Sequence, residues 1–133
     1  MGETALIYFK ASTNTGYGIP LLAAIKEKFP AVITFDIDIE SDQQLYSYAK
    51  ELAAKSEFSL AIIDAQTKSP EANKAGLIGL LNHFRKMKTS TVLIGSESLI
   101  EKMMKPIPES FQVQNEEEAL DLVIKKLDSI IAL

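Results

Sequence analysis

The chain has 133 residues, which is the size of one domain and too short for two domains with separate cores. Its 47% hydrophobic and 24% charged residues are typical of a folded globular protein and exclude a disordered one. The net charge of −4 argues against nucleic acid or an anionic membrane as the main partner, because both favour a basic surface. The absence of cysteine excludes disulfides and thiol catalysis, and one histidine leaves little room for a histidine-based metal site or catalytic triad.

The N-terminal segment Met1–Thr4 has no basic region followed by an apolar stretch, so it does not resemble a secretory signal. No run approaches the roughly 20 apolar residues that a membrane span requires. We therefore expect a cytoplasmic protein with no membrane partner, folded as a single domain over residues 1–133.

The first half of the chain predicts two strands and two helices. Ala5–Phe9 is a continuous apolar run, typical of a strand buried on both faces. A helix follows from Pro20 and ends at Pro30. Residues 32–39 alternate between apolar and polar, which favours a strand at a sheet edge. The next helix carries apolar residues at helical spacing: Leu45, Tyr48, Ala49, Leu52 and Ala53.

The second half repeats the alternation. Phe58–Asp64 is nearly all apolar and predicts a central strand, and a helix runs from Ser69–Pro70 to about Lys86. Gly76 and Gly79 in that helix are expected to permit close packing against the sheet or against a partner helix, and the sheet is the favoured interpretation. Thr91–Ile94 predicts a fourth strand, and a short helix begins at Ser98. The remaining elements are a last strand, Phe111–Val113, and a final helix capped by Asn115 with Glu118.

Five strands that alternate with five helices predict a parallel sheet covered on both faces. The first, third and fourth strands have the apolar character of central strands, whereas the second and fifth have that of edges. This distribution predicts the flavodoxin-like strand order 2-1-3-4-5.

In such a sheet, ligands bind beyond the carboxyl ends of the strands, at the crevice between the first and third strands. Hydroxyl-bearing residues and glycine follow the first strand, close to a helix N-terminus that would hold a small anionic ligand. The alternative interpretation is an ordinary turn, in which small polar residues satisfy the backbone. The predicted ligand-binding residues are Ser12, Thr13, Asn14, Thr15, Gly16, Tyr17, Asp64, Gln66, Thr67 and Ser96.

The segment Ser12–Gly16 resembles the phosphate-binding loop of flavodoxins, which also follows the first strand and is rich in serine, threonine, glycine and asparagine. The resemblance implies FMN as an alternative to the expectation of no cofactor. The sequence contains neither GxxxxGK[ST] nor GxGxxG, which excludes a P-loop nucleotidase and the usual dinucleotide fingerprint.

Asp64 resembles the phospho-acceptor of receiver domains, which share this strand order. Receiver domains also require an acidic pair after the first strand and a lysine after the fifth strand. The sequence has Lys10–Ser12 and Gln114–Asn115 at those places. The resemblance therefore implies a receiver-like domain that works without phosphoryl transfer, and a strand-end aspartate that caps the next loop is the alternative.

Glu71 begins the helix after the third strand, as does the catalytic glutamate of Toll/interleukin-receptor-type domains and nucleoside deoxyribosyltransferases. The resemblance covers Ser56–Gly76 and implies cleavage of an N-glycosidic bond. The alternative is an acid that stabilises the positive end of the helix dipole.

The sequence contains no complete catalytic set, so we expect a non-catalytic binding or interaction module. Its partner would be a protein, a second copy of the chain or a small anionic ligand, and no metal is expected. The alternatives are the enzyme that uses Glu71 and the FMN-binding flavodoxin relative. An interaction module predicts a contiguous apolar patch on one helix face.

Overall fold

Strands and helices alternate along the whole computed structural model, which describes residues 3–10, 20–38, 43–65, 75–95, 98–107 and 109–131. The strands are β1 (Thr4–Lys10), β2 (Ile33–Asp38), β3 (Phe58–Ala65), β4 (Ser90–Gly95) and β5 (Ser110–Val113). The helices are α1 (Pro20–Lys28), α2 (Gln43–Lys55), α3 (Ala75–Met87), α4 (Ser98–Met104) and α5 (Glu116–Ile131). Within these ranges, no helix has both the length and the apolar character needed to cross a bilayer.

The five strands form one parallel sheet in the order β2-β1-β3-β4-β5. The predicted order is confirmed. The apolar runs of β1, β3 and β4 occupy the centre, because those strands are covered on both faces. The mixed sequences of β2 and β5 lie at the two edges.

Each face of the sheet has its own hydrophobic core. Helices α1 and α5 cover one face, where they contribute Leu21, Ile25, Val123 and Leu127. Helices α2, α3 and α4 cover the other face, and their buried side chains are Tyr46, Ala49, Ala53, Leu80, Leu81, Phe84, Ile100 and Met104. The carboxyl ends of β1 and β3 are therefore fixed by packing on both faces of the sheet.

Helices α2 and α3 approach each other at Gly79. A Cβ atom at this position would lie 3.2 Å from the Nζ atom of Lys50 on α2. One turn further along α3, His83 Nε2 donates a hydrogen bond to the Lys50 carbonyl oxygen at 2.8 Å. At Gly79 the favoured expectation of packing on the sheet is therefore wrong, and the alternative holds, since this position faces a neighbouring helix.

Candidate functional site

The carboxyl ends of β1 and β3 bring Lys10 and Asp64 side by side. The two residues are register partners, and partners in a parallel pair present their side chains on the same face of the sheet. This is the face that α1 and α5 cover, because Leu6 and Leu60 in the same alternation belong to that core. Asp64 is buried, whereas Lys10 is half-buried.

Tyr8 and Asp64 form a buried hydrogen-bonded pair at the carboxyl ends of β1 and β3. The Tyr8 hydroxyl donates to Asp64 Oδ2, and only 2% of Tyr8 and 7% of Asp64 is exposed. Tyr8 is the register partner of Ile62, so its phenol reaches diagonally along β3 to the carboxylate two residues further on. The hydrogen bond satisfies both polar groups where water has little access.

The environment of Tyr8 keeps its phenol protonated. Burial has the largest effect in raising the pKa of Tyr8, followed by the hydrogen bond to Asp64 and the negative charges of Asp64 and Glu116. A phenol with a raised pKa remains a hydrogen-bond donor throughout the physiological pH range. Tyr8 therefore holds the Asp64 carboxylate in place and is unsuited to act as a base.

Glu116, the first residue of α5, adds its negative charge to the electrostatic environment of Tyr8. The start of α5 is fixed by its cap: the Glu118 backbone N–H donates to Asn115 Oδ1 at 2.9 Å. In return, Glu118 Oε1 accepts a hydrogen bond from the Gln114 backbone N–H at 3.3 Å. The predicted pairing of Asn115 with Glu118 is confirmed, and an acid at this helix N-terminus also suits the helix dipole.

A polar depression of about 590 Å³ adjoins the carboxyl ends of β4 and β5. Its wall includes Gly95, whose φ of 95° lies in the left-handed region that favours glycine. Gln112 Nε2 donates to the Gly95 carbonyl oxygen at 2.9 Å and so ties the two strand ends together. Since Gly95 is the register partner of Ala65, this depression and Asp64 lie along the same end of the sheet.

Asp64 is the predicted site residue that falls within the described ranges, and it lies at the predicted end of the third strand. The other predicted residues lie outside those ranges: Ser12, Thr13, Asn14, Thr15, Gly16, Tyr17, Gln66, Thr67, Ser96 and the alternative catalytic Glu71. The anionic ligand, the FMN alternative and the role of Glu71 therefore stay predictions. In the part of the chain that the structure describes, no group of three or more histidine or acidic side chains is placed to hold a metal ion.

The sequence analysis did not predict three residues at this end of the sheet as site residues: Tyr8, Gln112 and Glu116. Tyr8 carried a signal, because it is the one hydroxyl-bearing residue of the run Ala5–Phe9 and a buried phenol needs a hydrogen-bond partner. Glu116 and Gln112 carried none, because their placement depends on how α5 and β5 pack.

The comparisons with known proteins give a likeness of fold. No protein-family model matches the chain, and no curated protein matches it. Among solved structures, the chain is similar to one from the crystal structure of the RPS4 and RRS1 TIR domain heterodimer. The TM-score is 0.56 at 11% sequence identity, and the match covers 94% of this chain and 96% of the other. At this identity the likeness shows the α/β fold alone.

Proposed function

We propose that the protein is a non-catalytic interaction module that binds a second copy of itself. The contact surface is an apolar patch beside the β2 edge of the sheet, formed by Phe35, Leu45 and Tyr48 and called the edge patch below. It carries the proposal because it matches the contiguous apolar face expected of an interaction module.

The edge patch has two exposed side chains on α2 and a half-buried one, Phe35, on β2. Tyr48 is 50% exposed and Leu45 is 40% exposed, and their spacing of three places them on one face of α2. The Phe35 ring packs against Tyr48 with 4.7 Å between ring centroids and an interplanar angle of 65°. This edge-to-face contact joins the β2 edge strand to α2 and presents one apolar surface.

The composition of the edge patch is that of an interface centre. Tyrosine and other aromatic residues are enriched at the centres of protein interfaces, and charged groups are concentrated at their rims. The charged pair nearest along α2, Lys55 Nζ and Glu51 Oε1 at 2.8 Å, is well exposed and follows the patch by one turn. An apolar centre with such a polar border supports docking of a protein.

A second copy of the chain is the occupant that we propose. The similar solved structure is itself a heterodimer of TIR domains, which supports association between domains of this fold. An isologous dimer would bring the patch of one copy against that of the other. Since three side chains cover less than the roughly 800 Å² that each partner of a standard interface buries, we expect a weak association.

Sedimentation velocity tests the association across protein concentrations from about 1 to 500 µM, the range that covers weak dimers. We expect the wild-type chain to shift from monomer to dimer and Tyr48→Glu to remain monomeric, because the substitution buries a charge at the interface centre. Met87→Glu is the matched control, since Met87 is 42% exposed on α3, away from the edge patch. A wild-type chain that stays monomeric throughout, or equal effects of both substitutions, would contradict the proposal.

A second candidate function is cleavage of an N-glycosidic bond with Glu71 as the catalytic carboxylate. One observation favours it: the likeness of fold to a TIR domain. This second candidate predicts that the wild-type chain releases nicotinamide or a free base from a panel of nucleosides and nucleotides, whereas the non-catalytic module predicts no release. Glu71→Gln would abolish this release and Glu117→Gln, a substitution on the exposed start of α5, would not. Turnover retained in Glu71→Gln would exclude that role.

A further inference from the structure

A second concave site lies between α5 and the sheet, on the half of β4 opposite the crevice. It is a groove of about 200 Å³. Its wall is formed by five apolar side chains: Leu60, Val92, Phe111, Leu122 and Val123. Ser90, the first residue of β4, also lines the groove. It precedes Gly95, the last residue of that strand, by five residues. At about 3.3 Å per residue, the groove therefore begins roughly 16 Å from the carboxyl end of β4.

The groove exists because the β5 edge is short. β5 has four residues, and its Phe111 is the register partner of Val92. Phe111 remains 40% exposed, so the strand does not close the space between α5 and the sheet. An apolar cleft is thus left open at the side of the molecule.

The floor of this apolar groove carries one buried hydroxyl group. Ser90 is 6% exposed and is the register partner of Leu60, so both face the groove. Within the described ranges, no hydrogen-bond partner is found for the Ser90 hydroxyl. A buried hydroxyl without a partner favours a ligand that carries a hydrogen-bond acceptor over a plain hydrocarbon.

The mouth of the groove is basic. Lys125 and Lys126 on α5 both line it. Lys126 is paired with Glu109, whereas Lys125 is exposed and has no ion pair with another described residue. The Lys125 ammonium group beside the apolar wall is therefore not held in an ion pair with another described residue, and it can approach a single negative charge.

We infer that this groove binds a short aliphatic carboxylate. Its hydrocarbon chain lies along the apolar wall, and its carboxylate accepts hydrogen bonds from the Ser90 hydroxyl and the Lys125 ammonium group. A dry apolar cavity of about 150 Å³ holds benzene, so a groove of about 200 Å³ suits a chain of roughly six to eight carbons. This ligand is independent of the edge patch, which lies on the opposite face of the sheet.

Octanoate is the probe, added to the full chain labelled with ¹⁵N and followed by two-dimensional NMR. We expect saturable shifts of the Val92, Leu122 and Val123 amides, with a Kd in the millimolar range for a ligand of ten heavy atoms. Octan-1-ol, which lacks the charge, should bind about tenfold more weakly. The absence of saturable shifts, or shifts centred elsewhere in the molecule, would overturn the inference.

Substitutions separate this groove from nonspecific binding of an amphiphile. Ser129→Trp places an indole over the groove from an exposed position of α5 and should abolish the saturable shifts. Lys125→Gln should weaken octanoate about tenfold and leave octan-1-ol unchanged. Lys86→Gln, an exposed lysine of α3 on the other side of the sheet, is the matched control and should change neither. Undiminished octanoate binding by Ser129→Trp would contradict the inference, and circular dichroism verifies the fold of each variant.

Discussion

At the scale of single residues, the contribution of the Tyr8–Asp64 hydrogen bond to stability can be tested by removing one oxygen atom. Tyr8→Phe removes the hydroxyl donor. The Asp64 carboxylate, which is only 7% exposed, then loses this hydrogen bond. We expect the free energy of unfolding at pH 7 to fall by about 1 to 3 kcal/mol, as measured by urea denaturation. Tyr48→Phe is the control, because Tyr48 is half exposed and its loss of a hydroxyl should have little effect.

The raised pKa of Tyr8 gives the same pair a signature at alkaline pH. Because the folded chain holds this proton more tightly than the unfolded chain, the stabilisation is complete below the unfolded pKa of about 10. Above that pH the unfolded chain releases the proton first. The free energy of unfolding of the wild type should therefore fall by about 1.4 kcal/mol per pH unit more than that of Tyr8→Phe. If the free energies of unfolding of the two proteins fell in parallel above pH 10, the raised pKa of Tyr8 would be contradicted.

How much of the site could be predicted depends on whether a residue's role is local. Asp64 follows from the sequence, because a polar residue that ends an apolar strand must lie at the ligand-binding end of a parallel sheet. Its partner Tyr8 does not follow, since the diagonal contact needs the register of β1 on β3. The effect of Glu116 on Tyr8 is harder still to predict, because it depends on the strand order, the cap at Asn115 and the packing of α5 together.

At the scale of elements, the helix cap could be predicted from the sequence, but the face that a helix turns towards the sheet could not. Asn115 and Glu118 make the predicted cap through backbone groups four residues apart or fewer. In α2, the apolar residues cover more than one stripe, so spacing does not decide which of them face the sheet. Tyr46, Ala49 and Ala53 are buried, while Leu45 and Tyr48 turn outward and form the edge patch.

The sequence did not decide between the sheet and a partner helix as the neighbour of Gly79, and it did not identify α2 as that helix. A glycine in a helix indicates a close approach without naming the neighbour. At Gly79 the neighbour is the Lys50 side chain, and the hydrogen bond from His83 to the Lys50 carbonyl oxygen fixes the same pair of helices. The sequence therefore indicated a close approach at this glycine, and the structure selects the partner helix over the favoured sheet.

At the scale of the whole molecule, the strand order follows from composition because burial on two faces demands apolar runs. β1, β3 and β4 have such runs and lie at the centre, while β2 and β5 do not and lie at the edges. The partner does not follow in this way, since an interface depends on which apolar residues the packed domain leaves outside. The edge patch is visible only when α2 and β2 are assembled.

Self-association of the whole molecule should make its thermal stability depend on concentration. Binding of folded chains to each other stabilises the folded state by about 1 kcal/mol at a total chain concentration ten times the Kd, which raises the Tm of a domain of this size by roughly 3 °C. We expect scanning calorimetry of the wild type to show this rise between dilute and concentrated samples. In Tyr48→Glu the Tm should stay constant, because the edge patch then carries a charge that the interface would have to bury. An equal rise in both proteins would place the association on some other surface, and a constant Tm in both would exclude the dimer.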